Sequence, residues 1–135
     1  KQFQDLQELI ASLDSKNSMI IQEYVKESAG RDLRLIVVGG KVIGAIERTS
    51  TDGNFRANIS RGGEGKAFPL DEEMEMLALQ VSRVLDLDIC GVDLLFSDDG
   101  YKICEANSAP GFQGFEQATG INVPEKIFKY AGIRI

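Results

Sequence analysis

The chain has 135 residues, of which 43% are apolar and 27% are charged, as is ordinary for one soluble globular domain with a buried core. Its net charge of −6 argues against broad binding to nucleic acids or anionic membranes, because such binding needs a basic surface. The sequence contains no histidine, so zinc sites and hydrolase triads are poor hypotheses. It also shows no membrane-spanning apolar run and no signal-peptide pattern, and we therefore expect a cytoplasmic protein.

The first half of the chain predicts one helix followed by strands. Apolar residues at helical spacing predict an amphipathic helix over residues 3–14. The run MIIQEYV, residues 19–25, predicts a strand, and residues 31–49 predict two strands around a Gly-Gly turn, a common hairpin signature. Residues 50–69 lack periodicity and are rich in glycine and polar residues, which predicts a long loop that is either mobile or functional.

The second half predicts two more helices and a hairpin. Residues 70–87 carry the strongest helical pattern, and residues 91–111 contain two strands joined by a short turn. An SAPGFQG loop follows, and a last helix begins near Val123 with Pro124 in its first turn. The order is helix, three strands, loop, helix, two strands, helix. This order predicts a single α+β domain over residues 1–135, with a mostly antiparallel sheet flanked by helices.

Two cysteines, Cys90 and Cys104, lie in predicted strands. Because the chain shows no secretory signal, we predict small buried thiols rather than a disulfide.

The predicted hairpin carries an acid on each strand, Asp93 and Glu105, where a core residue would be expected. Residues 98–100 can close a three-residue turn with the glycine in the left-handed conformation. Ser97 would then pair with Tyr101, and Asp93 would lie directly opposite Glu105.

Such a register would bring three oxygen donors together. Asn107 would lie diagonally next to the pair formed by Asp93 and Glu105. Two carboxylates and an amide oxygen suit Mg²⁺ or Mn²⁺, with water or phosphate completing the octahedron. The alternative is a polar stripe on a solvent-facing sheet, in which the acids are merely solvated.

The segment FRANISRGGEGK, residues 55–66, places cationic side chains among glycines. Its GEGK does not match the spacing or the strand-to-helix context of a phosphate-binding P-loop. Arg56 and Arg61 could still clamp phosphate or carboxylate oxygens, since guanidinium groups bind them bidentately. The alternative is an exposed edge strand with solubilising arginines.

Taken together, four segments in this order resemble the ATP-grasp superfamily, and within it the RimK-type α-L-glutamate ligases: EYVKESAGRDLRLIVVGGKVIGAIER, FRANISRGG, GVDLLF and CEANSAPGFQGFEQATGI. The resemblance covers residues 19–132. Its most specific part is an acid in G-V-D followed twelve residues later by E-x-N, with R-x-N and R-G-G upstream.

The resemblance implies roles for individual residues. The metal ligands that it implies, for two Mg²⁺ or Mn²⁺ ions bridged by Glu105, are Asp93, Glu105 and Asn107. The nucleotide-binding residues that it implies are Glu23, Tyr24, Val25, Asp32, Arg56, Ala57 and Asn58. Arg61 is implied as the catalytic arginine near the transferred phosphate, and Arg34 and Arg48 are weaker candidates for the same pocket. For Tyr24 and Val25 taken alone, core packing is the better interpretation.

The resemblance further implies an ATP-dependent carboxylate–amine ligase that works through an acyl phosphate. Its partners would be ATP, glutamate or another amino acid, and a carboxylate acceptor, which is a protein C-terminus or a small molecule. Complete family members carry an N-terminal domain, a phosphate-contacting lysine and a glycine-rich loop before the resembling segments. We therefore expect residues 1–135 to be the C-terminal part of a catalytic region, inactive by itself. Two alternative functions remain open: a non-catalytic nucleotide- or metal-binding regulatory module, and a structural domain with solvated acids. The oligomeric state also remains open and includes a homo-oligomer.

Overall fold

An antiparallel sheet of five strands forms the centre of this computed structural model, which describes residues 22–50 and 64–133 together with Gln7, Ile10 and Ala11. The strands are β1 (Arg31–Val38), β2 (Lys41–Thr49), β3 (Glu64–Phe68), β4 (Ile89–Ser97) and β5 (Gly100–Asn107). They lie side by side in the order β3-β2-β1-β4-β5, and every neighbouring pair is antiparallel. The helices are α1 (Glu72–Val84), α2 (Gln113–Thr119) and α3 (Val123–Tyr130), and a short 3₁₀ helix spans Lys26–Ser28.

The predicted α+β class, the hairpin over residues 31–49 and the helix within 70–87 are confirmed. The last helix begins at Val123 with Pro124 in its first turn, as predicted. Both cysteines are free thiols, as predicted, although only Cys90 is fully buried. No helix in the described ranges is both long and apolar enough to cross a bilayer.

Three predicted boundaries are wrong. Residues 22–25 belong to no strand and lead directly into the 3₁₀ helix, while 19–21 lie outside the described residues. The predicted loop over 50–69 ends in β3, which sequence patterning missed because pairing with β2 outweighs the poor strand propensity of its glycine and lysine. The helix α2 begins within the predicted SAPGFQG loop and continues to Thr119. Sequence patterning missed this helix because Gly114 has a low helix propensity.

The predicted helix over residues 3–14 lies largely outside the described residues. Within it, Gln7, Ile10 and Ala11 are helical.

The two faces of the sheet bury different cores. Alternation along β1 turns Leu33, Leu35 and Val37 toward α1, where Met74 and Ala78 are buried against them. The opposite face of β1 carries a smaller apolar cluster made with α2 and α3. Its fully or nearly buried members are Ile36, Val38, Ile46, Phe115 and Val123.

The absence of a side chain at Gly44 brings α2 close to this second face. A Cβ atom at Gly44 would lie 2.9 Å from the ring carbon Cζ of Phe115 and 3.1 Å from Cδ1 of Ile121. The small cluster thus covers only part of the second face. The rest of that face is polar and holds the candidate site.

The N-terminus of α1 holds the turn between β4 and β5. The Tyr101 hydroxyl donates to Oδ2 of Asp71 at 2.8 Å, and Oδ1 of Asp71 accepts the N-capping bond from the Met74 amide at 2.8 Å. The Tyr101 amide also donates to Glu73. Burial, together with the hydrogen bond to Asp71, raises the pKa of Tyr101 to about 12.

Gly44→Ala tests the close approach of α2. We expect the free energy of unfolding to fall by about 1–3 kcal/mol, because Phe115 and Ile121 must move to admit the methyl group. Gly111→Ala is the matched control, since a Cβ there meets no atom within 4 Å. Urea denaturation of both variants checks this, and equal stabilities would contradict the packing described for Gly44.

Ionisation of the Tyr101 hydroxyl makes the free energy of unfolding depend on pH in the alkaline range. Its pKa in the folded chain, about 12, lies above the ordinary value of 10, so the folded state binds more protons between these values. The contribution of Tyr101 to stability is therefore complete below pH 10 and is lost as the pH rises toward 12. We expect the stability difference between wild type and Tyr101→Phe to shrink across this window. A difference that stays constant in chemical denaturation at several pH values would contradict a stabilising hydrogen bond from Tyr101 to Asp71.

Candidate functional site

The hairpin of β4 and β5 places Asp93 directly opposite Glu105, as predicted. The turn that achieves this differs from the predicted one. Ser97 pairs with Gly100, so the turn has two residues rather than three, and the predicted pairing of Ser97 with Tyr101 is wrong.

A β-bulge compensates for the shorter turn. Leu94 pairs with Ile103, whereas the next pair is Asp93 with Glu105, which leaves Cys104 as an extra residue on β5. Two departures from the predicted hairpin therefore cancel. The acids meet because a turn shorter by one residue is followed by a strand longer by one.

Two arginines surround Asp93, which is only 5% exposed. Strand pairing sets Arg34 directly opposite Asp93, and its Nε and Nη2 donate to Oδ1 and Oδ2, both at 2.7 Å. Nη2 of Arg48 also donates to Oδ2, at 2.8 Å. From the described residues, the Asp93 carboxylate thus accepts three hydrogen bonds, all of them charge-assisted.

Arg48 joins Asp93 to a second acid, Asp32, which lies opposite it on β1. Its Nε donates to Oδ1 of Asp32 at 2.7 Å and its Nη2 to Oδ2 at 2.6 Å. We refer to Asp32, Arg34, Arg48 and Asp93 as the charged cluster. It spans three adjacent strands on one face of the sheet, beside the smaller apolar cluster.

Burial shapes the ionisation of the charged cluster. Desolvation raises the pKa of Asp32 above its ordinary value, and the hydrogen bond from Arg48 only partly offsets it. Desolvation lowers the pKa of Arg48, but the hydrogen bond with Asp32 and the charge of Asp93 outweigh it, so the pKa rises. The arginine thus remains a cation, and the burial of Asp32 is not fully compensated.

The other two predicted metal ligands lie on the same face as Asp93. Glu105 is exposed, and Asn107 is half-buried with its Oδ1 accepting the Ala109 amide at 2.9 Å. Asn107 pairs with Gly91, where a Cβ would lie only 2.9 Å from Cβ of Pro110. Gly91 therefore allows the chain after β5 to fold back beside the acids.

The described part of the chain contains no group of three or more histidine, cysteine or acidic side chains placed to hold a metal ion. A metal at Asp93 and Glu105 would need other oxygen donors, such as the amide of Asn107 or ligand phosphates. The metal assignment of these three residues stays a prediction.

The predicted nucleotide-binding residues are only partly described. Asp32 lies in the charged cluster, and Val25 is half-buried and accepts a backbone hydrogen bond from Ser28. Tyr24 is 57% exposed, so core packing does not explain it. Four predicted site residues lie outside the described residues: Arg56, Ala57, Asn58 and Arg61.

Lys102 is a residue near the site that sequence reasoning missed. It pairs with Leu95, which shares the face of Asp93, and its Nζ lies 3.8 Å from Oε1 of Glu23. Simple alternation places residues 102 and 105 on opposite faces, and the bulge between them reverses this. No signal in the sequence announces the bulge.

Arg34 and Arg48 were weak candidates that the structure brings into direct contact with Asp93. A sequence signal for them exists. On each strand, the residue two positions away from the arginine, and therefore on the same face, is a buried isoleucine. These isoleucines are Ile36 on β1 and Ile46 on β2.

Comparison with known proteins identifies the family. The profile described as RimK-like ATP-grasp domain matches residues 1–131. The chain belongs to this family. It is 50% identical over 112 residues to human N-acetylaspartylglutamate synthase A, covering 82% of this chain and 29% of that protein. It is also 43% identical over 120 residues to a probable alpha-L-glutamate ligase of Marinomonas sp. (strain MWYL1), covering 89% of this chain and 40% of the relative.

Solved structures agree on the fold. The ATP-grasp ligase PsnB in complex with its minimal precursor superposes with a TM-score of 0.64 at 22% identity, over 81% of this chain and 34% of PsnB. D-cycloserine synthetase DcsG superposes with a TM-score of 0.58 at 18% identity, over 82% of this chain and 39% of DcsG. These likenesses confirm an ATP-grasp fold for this RimK-like chain, which spans less than half of each of these proteins.

Arg48→Met tests whether the charged cluster holds the sheet together. The substitution leaves Asp32 and Asp93 buried with fewer partners, and we expect it to lower the free energy of unfolding by about 3–5 kcal/mol. Arg31→Met is the control, because Arg31 pairs with Glu47 at 3.5 Å with 45% of its side chain exposed. We expect it to cost about 1 kcal/mol or less. Equal losses in urea denaturation would show that the cluster contributes no more than a surface pair.

Proposed function

We propose that the protein containing this RimK-like chain is an ATP-dependent carboxylate–amine ligase. It activates a carboxylate as an acyl phosphate and adds L-glutamate, with a protein C-terminus or a small molecule as the acceptor. The observation that carries the proposal is the direct pairing of Asp93 with Glu105 beside two arginines on one sheet face. The names of two relatives, N-acetylaspartylglutamate synthase A and probable alpha-L-glutamate ligase, support the same reaction.

The residue types on this face fit a magnesium or manganese site. A carboxylate oxygen offers about two acceptor positions, and Oδ1 of Asp93 accepts only one hydrogen bond from the described residues. Glu105 is exposed, and Asn107 supplies an amide oxygen. Asp93, Glu105 and Asn107 would hold the ions, of which we propose two. Bound metal would supply Lewis-acid polarisation of the nucleotide phosphates.

The cationic residues of the chain suit a reaction between two anions. ATP and a carboxylate repel each other, so the barrier falls mainly when their charges are neutralised and aligned. We propose that Arg61 stabilises charge on the transferring phosphoryl group, as arginines do in other phosphoryl transfers. This chemistry requires no protein nucleophile, which agrees with the sequence containing no histidine.

The nucleotide is proposed to lie along the same face. Glu23, Tyr24 and Val25 precede β1 and would contact the adenine, mainly through backbone groups. Asp32 would face the nucleotide from the charged cluster. Arg56, Ala57 and Asn58 complete the proposed contacts. Residues 1–135 would form the C-terminal part of the catalytic region, and we expect this part alone to be inactive.

A non-catalytic nucleotide-binding module is the second candidate. One observation favours it, which is that Asp93 is already neutralised by Arg34 and Arg48. Such a module would bind nucleotide and metal without turning ATP over.

Glu105→Gln in the full-length protein separates the two candidates. We expect ADP release with Mg²⁺, glutamate and a panel of carboxylate acceptors to fall by about 100-fold or more, because the metal that Glu105 is proposed to hold would no longer neutralise the nucleotide phosphates. Thermal unfolding should not change, since Glu105 is exposed. In the wild type, mass spectrometry should show an acceptor that has gained a glutamyl residue.

The control is Glu72→Gln, which removes an exposed acid from α1 on the other side of the sheet. It should retain full turnover. Wild-type activity in Glu105→Gln would contradict the metal role, and metal-dependent nucleotide binding without turnover in the wild type would favour the regulatory module.

A further inference from the structure

The carboxylate of Asp93 belongs both to the charged cluster and to the proposed metal site. The described residues satisfy it with guanidinium groups alone, at 2.7 and 2.8 Å. The proposed function assigns a divalent metal to the same carboxylate, and the present inference rests on that assignment. A metal ion that approaches Asp93 therefore also approaches the guanidinium cations of Arg34 and Arg48, because both are hydrogen-bonded to this carboxylate.

The charged cluster carries no spare negative charge to attract a metal ion. Its two carboxylates and two guanidinium groups sum to zero. In a buried site, repulsion between cations is screened far less than in water. Glu105 adds only one negative charge at the edge of the cluster. A free divalent cation thus gains little from this face unless it brings anions with it or displaces an arginine.

Arg34 is the arginine that can leave Asp93 more readily. Both hydrogen bonds that its side chain makes to described residues go to Asp93. Arg48 makes one hydrogen bond to Asp93 but two to Asp32, so it would have to leave a second carboxylate as well. The side chain of Arg34 is also more exposed, at 15% against 9% for Arg48.

We propose that Arg34 competes with divalent metal for Asp93, so that metal binds there tightly only together with a polyphosphate. The polyphosphate offsets the added positive charge. It also offers oxygens to the displaced guanidinium, which binds phosphate bidentately as it binds a carboxylate. Arg34 thereby makes metal binding conditional on the nucleotide. It acts on the metal through Asp93, which makes it a positioning residue.

Direct Mn²⁺ titration of the full-length protein tests this, with bound Mn²⁺ followed by electron paramagnetic resonance. The titration is run with and without a non-hydrolysable ATP analogue. Without the analogue, Arg34→Met should bind Mn²⁺ about 10-fold more tightly than the wild type, because one competing cation is gone. The factor by which the analogue tightens Mn²⁺ binding should be correspondingly smaller in the variant.

Two further variants make the test specific. Arg31→Met removes a cation from the same strand but from the opposite face, where it lies over the Phe96 ring and near Glu47. It should leave Mn²⁺ affinity within about 2-fold of the wild type, since an exposed charge is largely screened. Arg34→Lys keeps the charge without the guanidinium fork and should fall between the wild type and Arg34→Met. It also preserves the test if Arg34→Met does not fold, as judged by circular dichroism.

The outcomes separate this inference from the proposed function. Tighter Mn²⁺ binding in Arg34→Met supports competition even if the wild type shows no ligase turnover. Unchanged or weaker binding in Arg34→Met and Arg34→Lys, alongside normal turnover in the wild type, overturns the competition and leaves the ligase intact. Failure of the wild type to bind Mn²⁺ even with the analogue overturns both.

Discussion

The ion pairs of Asp93 with Arg34 and Arg48 are the interaction on which the centre of this fold depends. They link β2, β1 and β4, the three inner strands of the sheet, through groups that are largely buried. A slip of one residue in either pairing would turn a charge to the other face and leave its partner buried and unpaired. The charged cluster therefore specifies the register of the inner strands as well as placing the acid that the proposed metal needs.

The same face of the sheet serves two purposes because its apolar part is small. α2 and α3 cover Ile36 and Ile46 through Phe115 and Val123, and this cover stops where the side chains of β1 and β2 become charged. Glycines allow the close approaches on this face, at Gly44 beneath Phe115 and at Gly91 beneath Pro110. Packing on one half thus leaves the other half of this face polar, while α1 supplies the larger core from the opposite face.

Chemistry at this site follows from the balance of charge within it. In human N-acetylaspartylglutamate synthase A and the probable alpha-L-glutamate ligase of Marinomonas, the matching region is less than half of the protein. The chain has a sheet face on which acids and arginines lie within hydrogen-bonding distance of each other. Such a face favours a ligand that carries both a cation and negative oxygens, as a metal-bound polyphosphate does.

The sequence by itself determined the fold class, the family and the identity of the acids, because alternation, turn residues and the spacing from Asp93 to Glu105 are local properties of the chain. Only the tertiary structure decided which groups these acids contact. The bulge at Cys104 depends on pairing with β4, and it reverses the face on which Lys102 lies. The arginines that hold Asp93 come from strands far away in sequence. Which charges meet across a sheet is set by strand order and register, and these emerge only when all the strands assemble.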